Sequence, residues 1–302
     1  MVKLPFGIDI NNLIDDLRIF SWEAADILLY YSQEIKKLDQ VNNLIRNRDA
    51  KNPVTVADLE VNDLILNRMK EKYQNIGWKY LSEENVKINQ NDCEIESEWL
   101  WILDPLDGTK DFIQGTGDYA MHFALNHNNR PFVGVVLIPD KNELWISNGK
   151  NTWCERRDNS KQRIDLNYEK NISEMTVVTS KNHKNLTLKS LIDRIQFKKT
   201  IEMGSIGCKI ASILRGDSDI YLFLSLPGKS SPKDWDFAAP EAILNAAGGR
   251  ITYLDDKSLI YGQTGYEQRG IIIATNNQKR HKEICLQIKE IIEKENILSI
   301  NF

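Results

Sequence analysis

Asp104 and Asp107 stand three residues apart at the end of an apolar run, Trp99-Leu100-Trp101-Ile102-Leu103, and Gly108-Thr109 follow them. A short run this apolar predicts a buried strand. The two carboxylates would then sit at the carboxyl end of a sheet, where open α/β folds place their ligands. Carboxylates this close raise each other's pKa unless a cation neutralises them. Hard oxygen ligands favour Mg²⁺. Gly108 lets the backbone come close to a ligand, and free N–H groups at a helix start attract phosphate. The window therefore suggests a metal and a phosphate in one place. Asp-Pro and Asp-Gly are also common turn dipeptides, so taken alone it reads equally as a strand-to-turn junction.

Other acids belong to the same question. Glu83-Glu84 follows a short strand over residues 78–81, and for Glu84 a solvated charged loop is the favoured reading. Asp236 opens a helix within Lys233-Asp234-Trp235-Asp236-Phe237-Ala238-Ala239-Pro240-Glu241. An acid there offsets the helix dipole, but between Trp235 and Phe237 a charge needs a partner. Asp58 is either a capping carboxylate or a buried base beside Thr109. Gly115-Thr116-Gly117-Asp118-Tyr119-Ala120 fits G-x-G-x-x-A, yet no strand precedes it and alternating Tyr119, Met121, Phe123 and Leu125 follow, which rules out a dinucleotide fingerprint. No Walker A motif occurs. His122 and His127 read as structural; Ser180 and His183, just past a strand, are better placed for a ligand.

These residues need elements to position them. Apolar residues recur at helical spacing over 11–34, and a second helix is expected over 56–73, with Thr55 to Asp58 spaced as a capping box. Residues 85–98 read as polar loop. Strands over 119–126, 131–138 and 143–147 form an antiparallel meander. Residues 155–170 are a charged stretch. Beyond it strands at 175–179, 220–224, 250–254 and 270–274 alternate with helices at 186–195, 205–215, 235–247 and 277–297, an α/β pattern. The expectation is a layered αβαβα sandwich of α+β and α/β character. Its first half, 1–170, holds an antiparallel sheet, two N-terminal helices and most metal ligands; a smaller second half, 171–302, supplies Asp236 and substrate contacts.

At 302 residues and 41% hydrophobic content the chain affords a core without disulfide staples. A net charge of −4 argues against a broad nucleic-acid or anionic-membrane surface. Cys93, Cys154, Cys208 and Cys285 are scattered and read as reduced thiols. No secretory signal or membrane-length apolar run is visible. A cytoplasmic protein, monomer or homodimer, is expected.

In order along the chain stand Asn52-Pro53-Val54-Thr55-Val56-Ala57-Asp58, Leu81-Ser82-Glu83-Glu84, Asp104-Pro105-Leu106-Asp107-Gly108-Thr109 and Trp235-Asp236-Phe237-Ala238-Ala239-Pro240. Together they resemble the inositol-monophosphatase-like superfamily of Mg²⁺-dependent, lithium-sensitive phosphatases. Asp107-Gly108-Thr109-Lys110-Asp111-Phe112, Ser180-Lys181-Asn182-His183 and Gly204-Ser205-Ile206-Gly207-Cys208-Lys209 are similar to its 3′(2′),5′-bisphosphate nucleotidase (CysQ-like) branch, which is tied to sulfur assimilation. Ser205 stands where some members have a second glycine.

The resemblance implies roles. Glu83, Asp104, Asp107 and Asp236, with the Leu106 carbonyl, would ligate two or three Mg²⁺. Asp58 and Thr109, with Glu83, would serve catalysis: the threonine hydroxyl is too weak a base alone, so Asp58 takes the water's proton through it. Gly108 and Thr109 N–H groups would hold the scissile phosphate. Ser180, His183, Ser205 and Lys209 would hold the rest of a bisphosphate nucleotide. The rival substrates are inositol monophosphate and sugar bisphosphates; the rival class is a catalytically silent metal- or nucleotide-binding module.

Overall fold

A computed structural model describes residues 2–37, 56–89, 92–166, 169–182, 185–226 and 228–294. His183 and the Asn52 to Thr55 part of the first motif lie outside the described residues.

Helix α1 (Ile10–Lys37) follows from its apolar stripe, and Leu13, Leu17, Phe20, Ala24 and Leu28 are buried along it. Helix α2 (Val56–Tyr73) buries Ala57, Val61, Ile65 and Met69 beside it. Both cover one face of a seven-stranded sheet. Its strands run in chain order: β1 (Lys79–Ser82), β2 (Trp99–Asp107), β3 (Ala120–His127), β4 (Arg130–Ile138), β5 (Glu143–Ser147), β6 (Thr152–Glu155) and β7 (Lys161–Ile164). Alternation along the strands decides the faces. Trp101, Leu103, Met121, Phe123, Val133 and Val135 point to the α1/α2 side; Leu100, Ile102, Ala120, Ala124 and Val136 point to the other.

That other side packs against α6 (Ile206–Arg215) and α7 (Asp234–Ala246). A five-stranded sheet lies beyond them, ordered β11 (Arg250–Tyr253), β12 (Ile271–Thr275), β10 (Ile220–Leu224), β8 (Thr176–Ser180), β9 (Lys199–Met203). Its outer face carries α5 (Leu186–Ile195) and α8 (His281–Lys294). The layers are helix, sheet, helix, sheet, helix, as expected.

Three details differ from expectation. β1 pairs with β2 in parallel, Lys79 opposite Leu100, so the first sheet is mixed. Its crossover contains α3 (Glu83–Asn89), where polar loop was expected. The charged stretch after Glu155 holds β7, and residues 199–203 hold β9. Both are edge strands with mostly exposed side chains, so neither carries an apolar pattern.

Gly134 sets the depth at which α7 lies on the first sheet. A Cβ there would come 2.6 Å from Ala242 Cβ and 2.9 Å from the Ala239 carbonyl oxygen. Only a residue without a side chain lets the helix sit this close.

Candidate metal and phosphate site

In a regular strand, residues three apart face opposite sides. β2 escapes that rule. Asp104 lies opposite His122 and Asp107 opposite Ala120, so three steps on β2 span two on β3. This bulge resets the alternation. The Asp104 carboxylate accepts the Leu106 N–H at 3.0 Å and pins it. The strand was expected to stop at Asp104; it continues through Asp107.

Asp236 arrives from the other side, in the first turn of α7, where its carboxylate accepts the Lys233 N–H at 2.6 Å. One oxygen each from Asp104, Asp107 and Asp236 lie within 4.8 Å of one another. Burial pushes the Asp104 carboxyl well above the usual carboxylate range, and the negative charges of Glu83, Asp107 and Asp236 push further; Lys87 opposes them. Asp236 is raised for the same reasons, burial first, then Asp107 and Glu83. Crowded buried carboxylates are comfortable only with protons or a cation between them. Three hard oxygens in this arrangement fit Mg²⁺.

Glu83 opens α3 beside the triad without joining it. Its carboxylate pairs with Lys87 Nζ at 2.9 Å, and Glu84 pairs with the same ammonium at 2.7 Å. Glu84 is buried, not solvated, and burial raises its pKa. Spacing of three and four residues on one helix turn produces this clamp. The Leu106 carbonyl accepts the Thr109 hydroxyl at 3.1 Å. Gly108 has φ of 88°, and a Cβ on it would meet the Asp118 carbonyl oxygen at 2.8 Å. Asp58 is buried in the first turn of α2.

The N-terminal end of α6 is aimed at Asp107. Ser205 donates its hydroxyl to Asp107 Oδ2 at 2.7 Å, and the Ile206 and Gly207 N–H groups donate to the same oxygen. His122 Nε2 lies 3.4 Å from it, with Nδ1 3.3 Å from the Trp235 carbonyl oxygen. Complete burial lowers the His122 pKa, so the ring is neutral at neutral pH. Lys209, also buried, donates to the Ser205 carbonyl at 3.0 Å, and desolvation lowers its pKa. Ser205 and Lys209 are expected against substrate; among the described bonds the Ser205 hydroxyl holds Asp107, and Lys209 holds the Ser205 carbonyl. Ser205 also caps α6 through the Cys208 N–H, at a φ of 44°. Ser180 ends β8, half-buried.

Lys87 carries no signal in the sequence, and His122 reads there only as structural. Lys87 was findable only by reading residues 83–89 as helix. For His122 the signal was alternation: Met121 and Phe123 face α1 and α2, so His122 must face α6 and α7.

The pattern of the inositol monophosphatase family matches residues 17–293. The chain is 31% identical to the 3′(2′),5′-bisphosphate nucleotidase CysQ of Buchnera aphidicola over 262 residues, covering 83% of this chain and 89% of that one. The CysQ of Escherichia coli K12 is 26% identical, covering 82% and 94%. Among solved structures, the suhB extragenic suppressor protein of Bartonella henselae superposes with a TM-score of 0.69 at 19% identity, covering 94% and 99%.

Proposed function

Because this chain belongs to the inositol monophosphatase family, we propose that it is a Mg²⁺-dependent phosphatase that removes the 3′-phosphate of adenosine 3′,5′-bisphosphate, giving AMP and phosphate. The observation that carries this reading is the triad of Asp104, Asp107 and Asp236, drawn from two distant parts of the chain to within 4.8 Å. The relatives named CysQ favour the nucleotide over other phosphate monoesters.

In this reading Asp104, Asp107 and Asp236 would hold Mg²⁺, with Glu83, which is paired with Lys87 here, as a further ligand. Bound Mg²⁺ neutralises phosphate charge, acidifies water and stabilises the leaving alkoxide. The protein's own groups do the rest. Ser205 and the α6 N–H groups fix one oxygen of Asp107, so the carboxylate is oriented before any ligand arrives. The Thr109 hydroxyl rests on the Leu106 carbonyl; for the relay it would turn that O–H to the Asp58 carboxylate, pass its own proton there and take the attacking water's proton on its oxygen. The Gly108 and Thr109 N–H groups hold the phosphoryl oxygens. Ser180 and His183 hold the nucleotide, while Lys209 supplies positive charge behind Ser205.

Phosphate release from adenosine 3′,5′-bisphosphate and from inositol 1-phosphate, with and without Mg²⁺, tests the proposal. The expected result is Mg²⁺-dependent turnover with kcat/KM at least about tenfold higher on the nucleotide. The reverse order would make the chain an inositol monophosphatase, and Mg²⁺-independent rates on both would refute the metal chemistry.

A further inference from the structure

Helix α4 (Thr109–Gln114) begins in the phosphate-binding turn, and its third residue is a carboxylate with no solvent exposure, Asp111. Such a group needs partners, and its partners join three segments. Thr116, just past the helix, donates its hydroxyl to Asp111 Oδ1 at 2.8 Å. Asn182, in the loop after β8, donates its side-chain amide to Oδ2. Lys181 of the same loop places Nζ 3.7 Å from Oδ1. The Lys181 N–H is bonded in turn to the Met203 carbonyl at 3.1 Å, at the end of β9. The next residue, Gly204, lies so close that a Cβ there would be 2.2 Å from Asp111 Oδ2. One buried carboxylate therefore ties the turn that handles the scissile phosphate to the loop of residues 180–182 and to the approach to α6.

We infer that Asp111 is a positioning residue that sets substrate specificity by fixing the Ser180–Asn182 loop at a defined distance from the phosphate turn. The inference rests on the reading above, in which that loop holds the nucleotide remote from the reacting phosphate. Asp111 touches no reacting atom; it acts through Asn182 and Lys181. A substrate that spans from the phosphate turn to the loop depends on this tie. A small phosphate monoester that ends near the phosphate turn does not.

Asn182→Asp is the test. It sets a second carboxylate against the Asp111 oxygen that the Asn182 amide now serves, acceptor against acceptor, and leaves the Thr116 bond in place. Asn182→Asp should raise KM for adenosine 3′,5′-bisphosphate about tenfold while kcat changes less than about threefold. KM for p-nitrophenyl phosphate should move far less. The double variant Asp111→Asn/Asn182→Asp exchanges donor and acceptor and should recover most of the lost affinity, a coupling that independent sites do not show. Hydrogen exchange of the amides at 180–182 should speed up in Asn182→Asp and slow again in the double variant. An unchanged KM, equal losses of kcat and KM on both substrates, or no recovery in the exchange variant would overturn the inference. If the wild type does not prefer the nucleotide, the functional reading fails by itself. The hydrogen-exchange pattern then still decides whether Asp111 holds the loop.

Discussion

Replacing Asp104 by Asn should make the metal-free protein more stable and useless for Mg²⁺. At 4.8 Å and an effective dielectric of about 20, each like-charge pair in the triad costs about 3.5 kcal/mol. Asp104 faces two such neighbours, and burial adds to the penalty. Proton uptake caps the cost, because a protonated carboxyl repels nothing. A net gain of about 2 kcal/mol for Asp104→Asn is therefore expected, which for 302 residues is a rise in Tm of about 3 °C. The pH dependence has a definite sign. Asp104 is raised in the folded state, so above its unfolded pKa the native protein binds more protons than the unfolded chain. Wild-type stability then falls as pH rises, while the asparagine does not titrate. The advantage of Asp104→Asn should grow from pH 5 to pH 8. Thermal unfolding in EDTA and in a Mg²⁺ titration is the assay. Wild type should gain stability with Mg²⁺, about 2.7 kcal/mol at a hundredfold excess over Kd; the variant should gain almost none. A variant less stable than wild type in EDTA, or one stabilised by Mg²⁺ as wild type is, would refute the electrostatic argument.

Thr109→Ala should lower kcat by about a hundredfold or more with the Mg²⁺-induced rise in Tm kept; loss of that rise would mean Thr109 serves the metal instead. Gly134→Val should cost about 1–3 kcal/mol in urea unfolding, because the new side chain meets Ala242 and Ala239 and lifts α7 with Asp236; an unchanged Mg²⁺ affinity in the folded variant would break the link between that contact and the site. His281, buried against Thr252 and Thr275, has its pKa lowered to about 4, by burial first. The unfolded chain therefore binds a proton that the native state refuses, and stability should fall by about 2.5 kcal/mol between pH 7.5 and pH 4.5. His281→Gln should remove that part of the pH dependence in urea titrations at the two pH values.

The layers and the triad were legible because they rest on local pattern. The run from Trp99 to Leu103 is apolar on both faces because helices cover both faces of β2. Asp104, Asp107 and Asp236 stand out because charges break apolar settings. What stayed hidden depends on contacts between distant segments. Residues 83–89 are too polar to show a helical stripe, so the Lys87 clamp on Glu83 and Glu84 had no signal of its own. β7 and β9 bury little, so nothing in their composition marks them as strands. The bulge that turns Asp104 and Asp107 to one side is a property of pairing with β3. The resemblance sets Ser205 and Lys209 against substrate, and nothing in their spacing shows that the start of α6 also grips an oxygen of Asp107, 98 residues before Ser205.

The central claim is that Asp104, Asp107 and Asp236 converge to hold divalent cations against a phosphoryl group. Anomalous diffraction from a crystal grown with Mn²⁺ in place of Mg²⁺ tests it directly. The account predicts at least one manganese peak coordinated by oxygens of all three aspartates. Manganese bound elsewhere, with this triad bonded only to protein groups, would contradict it.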